Sequence, residues 1–208
     1  MENSSTKVAV FGGTNGVGKE CIKLALADGT LARDPSKISN ITSQNLRIVQ
    51  GDVLDPVKVN EVLKGSQVVI NSLGSRALKG PGVDVCSKGT EKILEGMKNN
   101  GIKKIITCSS LGTGDSYSKC SIFTKFFIWA IISRPIADKE IQEDMIKKSG
   151  LDFVIIRPTG LVDKAFTGKY KVGFDVSGGT VGRADVAHWM VKQINSDEWV
   201  GKCPSMEG

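Results

Sequence analysis

The sequence has few aromatic residues, a single histidine and no closely paired cysteines. Aromatic side chains make up 6% of the 208 residues, and no CxxC or CxxH spacing occurs among Cys21, Cys86, Cys108, Cys120 and Cys203. We therefore expect a mostly aliphatic core and no metal centre. An odd number of well-separated cysteines is typical of free thiols in a reducing compartment, not of a disulfide framework.

The sequence also lacks a hydrophobic run long enough to cross a membrane. Its most apolar stretch is Phe126 to Ile132; it extends at most from Ile122, where Lys125 interrupts it, and is far shorter than the ~18 residues of a membrane span. The start, Met-Glu-Asn-Ser-Ser, has no basic region followed by an apolar one, so no secretory signal is visible. These features predict a cytoplasmic protein with no transmembrane segment.

Acidic residues are in the minority, but the basic excess is not concentrated. The chain has 28 Lys and Arg against 22 Asp and Glu, a net charge of +6. The basic residues are spread along the chain, and the doublets Lys103-Lys104 and Lys147-Lys148 have no aromatic residues beside them. This distribution is typical of a solvated surface. We expect no nucleic-acid partner, whereas a small phosphorylated cofactor suits the charge.

Short apolar runs alternate with longer amphipathic stretches. Runs that are almost wholly apolar suit strands buried on both faces of a parallel sheet. The pattern predicts strands over residues 7–11, 45–50, 67–71, 104–109 and 153–157, and helices over residues 18–27, 56–63, 83–99, 137–149 and 183–194. Asp55 before Pro56 is a strong N-cap for the second helix. The alternation predicts one doubly wound α/β domain over residues 1–208, with a mostly parallel sheet.

The second strand of this pattern is short. If the first helix extends to Ala27 and Gly29 ends it, only Thr30 to Ala32 remain before Arg33. A typical strand has about five or six residues. Either the helix ends early and the strand is longer, or the strand is truncated, and the sequence leaves both alternatives open.

A glycine-rich loop follows the first predicted strand and opens the first predicted helix: Gly12-Gly13-Thr14-Asn15-Gly16-Val17-Gly18. Glycines in this position allow a sharp turn, close approach of the backbone to a diphosphate and tight packing of helix on strand. The helix N-terminus then offers N–H groups and a partial positive charge to phosphate. The alternative is a purely structural glycine turn, but its place between strand and helix favours a cofactor loop.

Several further pieces, in order, resemble a known family. They include Leu31-Ala32-Arg33-Asp34, Gly51-Asp52-Val53, Thr107-Cys108-Ser109-Ser110, Arg157-Pro158 and Arg183-Ala184-Asp185-Val186-Ala187. With the glycine loop, they resemble the atypical short-chain dehydrogenase/reductase group of NAD(P)-binding Rossmann proteins. Within that group the chain is most similar to the small biliverdin reductase B (flavin reductase)-like and NmrA-like proteins, over nearly its whole length.

The resemblance implies a set of cofactor-binding residues. Arg33 matches the basic residue that holds the 2′-phosphate of NADPH, which favours NADPH over NADH; the alternative is a surface arginine beside Asp34. Asp52 with Val53 resembles the adenine-contacting pair, although Asp52 could equally cap a turn. The remaining implied cofactor residues are Gly12, Thr14, Asn15, Gly16, Val17 and Gly18 in the loop, Leu73, Gly74 and Arg76 after the fourth strand, and Ser109.

The residues implied for the chemistry are fewer. Ser110 matches the family's active-site serine, Thr159 replaces a histidine of the biliverdin reductase B-like proteins, and Lys139 lies on the helix before the last strand. A Lys139–Glu143 salt bridge is the favoured explanation of that i to i+4 pair. The Tyr-x-x-x-Lys motif of the classical enzymes is absent, because Ser121 stands four residues after Tyr117.

These residues suggest an NADPH-dependent reductase that transfers hydride to a small, flat conjugated acceptor such as a flavin, a quinone or a biliverdin-like tetrapyrrole. The missing Tyr/Lys pair supports an alternative, a non-catalytic NADP-binding redox sensor of NmrA type. A third possibility is a chain whose short second strand prevents cofactor binding. The apolar segment Ile122 to Ile132 suggests either a lid over the acceptor or a packing, dimer or membrane-surface contact. The oligomeric state is open.

Overall fold

A computed structural model of the chain describes residues 6–25, 29–41, 46–75 and 77–208. Six parallel strands form most of its main sheet: β1 (Val8–Phe11), β2 (Gly29–Ala32), β3 (Arg47–Gln50), β4 (Val68–Asn71), β5 (Lys104–Cys108) and β6 (Asp152–Pro158). Their spatial order is β3-β2-β1-β4-β5-β6. This order is that of doubly wound nucleotide-binding sheets and confirms the predicted fold class.

The second strand is short but fully paired. The helix before it ends at Ala25, and the strand begins at Gly29, one residue earlier than Thr30; the predicted helix end at Ala27 lies outside the described residues. All four residues of β2 pair with β3, and Gly29 and Thr30 pair with β1. The Thr30 hydroxyl also donates to the Val10 carbonyl at 2.8 Å. The strand therefore brings Arg33 to the same sheet edge as the glycine loop.

Four three-residue strands follow β6 and were not predicted from the sequence. β7 (Gly160–Val162) and β9 (Thr180–Gly182) pair in parallel as a separate ribbon. β10 (Ser205–Glu207) extends the main sheet in parallel beside β6, and β8 (Lys171–Gly173) closes its edge antiparallel to β10. Segments this short carry too few residues for a periodic pattern.

Seven helices lie among the described residues: α1 (Gly16–Ala25), α2 (Pro56–Leu63), α3 (Val85–Asn99), α4 (Ser116–Lys119), α5 (Ile122–Phe127), α6 (Ser133–Lys148) and α7 (Arg183–Lys192). Short 3-10 turns occupy Pro35–Ile38 and Gln193–Asn195, and a π-helical turn, Ile128–Ile132, joins α5 to α6. The predicted Asp55 cap is confirmed, because its carboxylate accepts from the Val57 N–H at 2.9 Å and the Lys58 N–H at 3.3 Å.

The sheet is buried on both faces. Along β1, Val8 and Val10 point into a cluster with α1 and α7, while Ala9 and Phe11 point into a second cluster with α2 and α3. This period-2 alternation buries every residue of the strand. The polar carboxyl ends of the strands are therefore fixed on a rigid, aliphatic base.

Candidate active site

The carboxyl ends of β1 to β5 open into a cavity of about 360 Å³. It lies where the strand order reverses, between β1 and β4, which is where doubly wound sheets bind their ligands. Its size is within the roughly 300–1,000 Å³ range of small-molecule sites. Most of the predicted site residues line it: Gly12, Thr14, Asn15, Gly16, Val17, Arg33, Asp52, Val53, Leu73, Gly74, Ser109 and Lys139.

The glycine loop lies directly against the end of β4. Gly12 has φ +80° and Gly16 has φ +54°, in the left-handed region that side chains disfavour. A Cβ on Gly12 would collide with the Ser72 carbonyl oxygen. The loop leads into the N-terminus of α1, whose first turn contains no acidic residue. The positive end of the helix dipole therefore points at the cavity, and no carboxylate within that turn offsets it.

Gly18 supports the loop from behind. It is buried and is not among the residues that line the cavity. A Cβ at this position would collide with the Gly12 carbonyl oxygen. Glycine at 18 therefore lets α1 pack against the loop, which is the packing role that the third glycine of such loops has.

Arg33 extends from the end of β2 along the cavity wall and is exposed. Among the described residues it has no ion-pair partner. The neighbouring Asp34 is engaged elsewhere, because it accepts from the Ser36 hydroxyl at 2.6 Å and pairs with Lys37 at 3.4 Å. The Arg33 guanidinium is therefore not neutralised by Asp34, although its exposure also suits the alternative of a surface arginine.

Asp52 both lines the cavity and stabilises the turn after β3. One carboxylate oxygen accepts from the Leu54 N–H at 3.0 Å. The turn-capping interaction expected of Asp52 is thus present. Val53 is buried beside it and also borders the cavity.

The chain after β4 forms the wall opposite the loop. Leu73 is nearly buried, whereas Gly74 is exposed toward the cavity. A Cβ added to Gly74 would meet no atom within 4 Å, so the space beside it is open. The third residue predicted here, Arg76, lies outside the described residues.

The two serines after β5 have different environments. Ser109 is buried, lines the cavity and lies 3.4 Å from the Thr113 hydroxyl. Ser110 does not line the cavity, and its hydroxyl donates to the Leu111 carbonyl at 3.1 Å. Thr159 is also buried away from the cavity lining, with an unpartnered hydroxyl. The structure thus brings Ser109, not Ser110 or Thr159, to the site.

The predicted Lys139–Glu143 salt bridge is wrong. The Lys139 ammonium instead donates to the Cys108 carbonyl at 2.9 Å and to the Leu73 carbonyl at 3.2 Å. It thereby links the ends of β4 and β5 at the cavity wall. Glu143 is bound by Arg157, a residue fourteen positions further along the chain.

Arg157 and Glu143 form a buried ion pair below the site. Both side chains are 1% exposed, and the guanidinium donates to the carboxylate at 2.7 Å and 3.0 Å. Lys147 and the Thr113 hydroxyl also bind Glu143, at 2.9 Å and 2.6 Å. Arg157 further contacts Asp115 at 2.7 Å. This network ties β6 and α6 to the loop that carries Ser109.

Acid should weaken this network. Burial alone would raise the pKa of Glu143, but the hydrogen bonds and charge of Arg157 outweigh it and hold the pKa at about 2. Since the folded pKa lies below the unfolded value of 4.5, the stabilisation is complete above about pH 5 and is lost as pH falls toward 2. We expect a loss of about 2 kcal/mol, measured by urea unfolding between pH 6 and 3. Glu143→Gln should remove this pH dependence; an unchanged slope would contradict the assignment.

Sequence reasoning missed several residues of the cavity wall. They are Phe11, Leu31, Gly51, Ser72, Ser75, Val85, Cys108, Leu161 and Arg183. Arg183 opens α7, pairs with Asp163 at 3.0 Å and lies 3.6 Å from where a Gly16 Cβ would be. Arg183 belongs to the segment Arg183-Ala184-Asp185-Val186-Ala187, which resembles the family, and that resemblance could have pointed to it. Its contact with the glycine loop could not be predicted locally, because Gly16 lies 167 positions earlier in the chain.

Other candidate groups are outside the cavity or neutral. Tyr117 is 42% exposed and lies under Lys125, and His188 contacts the Tyr170 hydroxyl at 3.2 Å. Neither lines the cavity. Cys108 does, but burial raises the pKa of its thiol to about 11, against the opposing charge of Lys139. Within the described ranges, no group of His, Cys, Asp and Glu residues could hold a metal ion.

The apolar segment after β5 is not a closed lid. In the part of the chain that the structure describes, no residue from 122 to 132 lines the cavity. Its largest side chains point outward instead, with Phe123 85% and Trp129 71% exposed. None of the described helices has the length and apolarity required to span a membrane.

Comparison with known sequences is consistent with this site. A family model described as NAD(P)H-binding matches residues 12–197. The chain is 29% identical over 181 residues to an uncharacterised chloroplastic protein of Arabidopsis thaliana, covering 78% of this chain and 61% of that protein. It is 25% identical over 170 residues to the photosystem II assembly factor Ycf39 of Cyanophora paradoxa, covering 79% and 48%. The chain thus spans about half to three fifths of these relatives' lengths, and its cytoplasmic location stays a prediction.

Two solved structures share nearly the whole fold. ChuY, an anaerobilin reductase from Escherichia coli O157:H7, superposes with a TM-score of 0.81 and 26% identity, covering 97% of this chain and 96% of that one. A short-chain dehydrogenase/reductase from Veillonella parvula, solved in complex with NADP, gives a TM-score of 0.80 with 13% identity, covering 98% and 94%. The second likeness is one of fold alone.

Proposed function

The chain belongs to a family of NAD(P)H-binding proteins, and we propose that it is an NADPH-dependent reductase of a flat conjugated acceptor, of the atypical short-chain dehydrogenase/reductase and NmrA-like type. The observation that carries this proposal is the cavity between β1 and β4, where the strand order reverses. The glycine loop, Arg33 and Lys139 all line it. The likeness to ChuY, a reductase of a tetrapyrrole, supports the acceptor class.

The lining of this cavity is suited to the diphosphate and the 2′-phosphate of NADPH. The positive-φ glycines leave the loop backbone open beside the N-terminus of α1, which suits a diphosphate. Arg183, held by Asp163 and close to Gly16, adds a cation at the same point. Arg33, without an ion-pair partner among the described residues, is suited to bidentate contacts with a 2′-phosphate. Asp52 and Val53 then border the adenine.

The other end of the wall suits the acceptor. Bound NADPH supplies the hydride. The Lys139 ammonium has three N–H donors and uses two of them on the Leu73 and Cys108 carbonyls. We assign the third to a carbonyl oxygen of the acceptor, where it stabilises the negative charge that develops on reduction. Ser109 is the nearby hydroxyl that lines the same wall.

The test of this function is turnover. We expect NADPH oxidation, followed at 340 nm, with at least one acceptor from a panel of flavin, quinones and biliverdin. One observation favours the alternative of a non-catalytic sensor. Tyr117 and Thr159 lie outside the cavity, so neither can donate a proton to an acceptor bound there. Tight NADPH binding with no reduction of any acceptor would support a sensor and contradict the reductase.

Gly74 offers a prediction that separates binding from folding. Gly74→Val should lower NADPH affinity at least tenfold, because its side chain enters open space at the cavity wall where no atom lies within 4 Å. The matched control is Gly173→Val, which has equally open surroundings on β8 and lies outside the cavity. Both variants should melt like the wild type. Equal affinities in the two variants, measured by nicotinamide fluorescence, would contradict the placement.

A further inference from the structure

The segment between α4 and α6 presents a large apolar surface. We name as the α5 patch the outward-facing side chains Ile122, Phe123, Phe126, Phe127, Trp129 and Ile131, which are 48% to 85% exposed. At about 200 Å² per aromatic side chain, the four aromatics alone expose roughly 500 Å². The largest apolar patch of a typical monomer is about 300–600 Å², and such a patch is often functional.

The patch is held outward by the fold. Ile128 is 5% exposed and packs with Leu111, Cys120, Ile136 and Val176 in a small core of its own. Ser121 caps α5 by accepting from the Thr124 N–H at 3.2 Å, and its own N–H donates to the Ser177 carbonyl at 2.9 Å. The ring centroids of Phe126 and Trp129 are 6.1 Å apart. One face of the segment is thus anchored, and the other stays exposed.

The charge around the α5 patch is positive. No Asp or Glu occurs from residue 116 to residue 137, whereas Lys119, Lys125 and Arg134 do. Lys119 pairs with Asp175 at 3.5 Å, so Lys125 and Arg134 are the cations that give the rim its positive charge. On the C-terminal side the next carboxylate, Asp138, is buried and accepts from the Cys86 and Ser87 N–H groups. On the N-terminal side the next carboxylate, Asp115, is exposed but pairs with Arg157 at 2.7 Å. An anionic partner surface therefore complements the rim.

We propose that the α5 patch docks on an anionic lipid surface, with its aromatic side chains in the interface and Lys125 and Arg134 toward the headgroups. Aromatic and aliphatic residues beside a basic rim are the combination by which interfacial helices bind membranes without crossing them. A symmetric contact between two copies is disfavoured, because it would bring the same basic rims together. This proposal does not depend on the reductase function.

Flotation with vesicles tests the proposal directly. The whole chain should bind vesicles of 70% phosphatidylcholine and 30% phosphatidylserine, and the double substitution Phe123→Ser/Trp129→Ser should weaken binding at least tenfold. The control Val57→Ser, at an apolar position on α2 that is 71% exposed, should have no effect. Lys125→Glu/Arg134→Glu should weaken binding more than the control reversal Lys64→Glu/Lys98→Glu. Thermal melts check that each variant is folded.

Quenching by brominated lipid gives a second, independent readout. It should quench tryptophan fluorescence in the wild type but not in Trp129→Phe, which keeps the apolar character and should still bind. No enrichment on anionic vesicles, or binding that the Phe123→Ser/Trp129→Ser substitution leaves intact, would overturn the proposal. A dimer in sedimentation equilibrium that the same substitution dissociates, without vesicle binding, would assign the patch to a second copy and also overturn it.

Discussion

Glu143→Ala is expected to lower the free energy of unfolding by about 3–5 kcal/mol. The substitution leaves the Arg157 guanidinium, which is 1% exposed, with only Asp115 as an ionic partner. It also removes the acceptor of the Thr113 hydroxyl in the loop beside Ser109. Urea unfolding at pH 7 measures the change.

Two controls distinguish loss of the pair from loss of a surface charge. Asp144→Ala lies on the same helix, where Asp144 is 66% exposed and 4.0 Å from Lys148, and should change stability by less than about 0.5 kcal/mol. Replacing both partners, Glu143→Leu with Arg157→Met, should recover much of the loss, because no buried charge remains unpaired. Equal effects of Glu143→Ala and Asp144→Ala would show that the pair does not hold this region together.

Lys139→Met is expected to reduce kcat/KM about ten- to hundredfold in the reductase assay. A hydrogen bond to a charged group is worth about 1.5–3 kcal/mol, and the third Lys139 donor is assigned to the acceptor. Because the ammonium also holds the Leu73 and Cys108 carbonyls, some change in stability will accompany the loss. NADPH affinity should fall much less than turnover.

The matched control for Lys139 is Lys148→Met on the same helix, where the side chain is 80% exposed. It should leave both turnover and NADPH affinity unchanged. A Lys139→Met enzyme with wild-type kcat/KM would remove this residue from the mechanism. A Lys139→Met variant that loses only NADPH affinity would show that Lys139 binds the cofactor and not the acceptor.

The parts of the site that depend on neighbouring residues could be predicted from the sequence. The positive φ of Gly12 and Gly16 follows from glycines placed between an apolar run and an amphipathic helix. The Asp55 cap and the bounds of α2 likewise depend on residues within one or two turns. Such signals are visible because the physics is local.

Features that depend on distant residues were not predictable. The i to i+4 spacing of Lys139 and Glu143 indicates a local pair, but Arg157 from β6 binds Glu143 more favourably in the interior. Ser109, not Ser110, faces the cavity. Successive side chains point to opposite sides, so a shift of one residue at the end of β5 would exchange the two serines. Arg183 reaches the glycine loop only because α7 packs beside α1.

The most direct test of the cofactor assignment is a titration of NADPH and NADH into the wild type, Arg33→Ala and the surface control Arg134→Ala. We expect NADPH to bind at least tenfold more tightly than NADH in the wild type and in Arg134→Ala. The preference should nearly disappear in Arg33→Ala, because the guanidinium that contacts the 2′-phosphate is gone. No binding of either nucleotide, or an NADPH preference that Arg33→Ala leaves unchanged, would contradict the assignment.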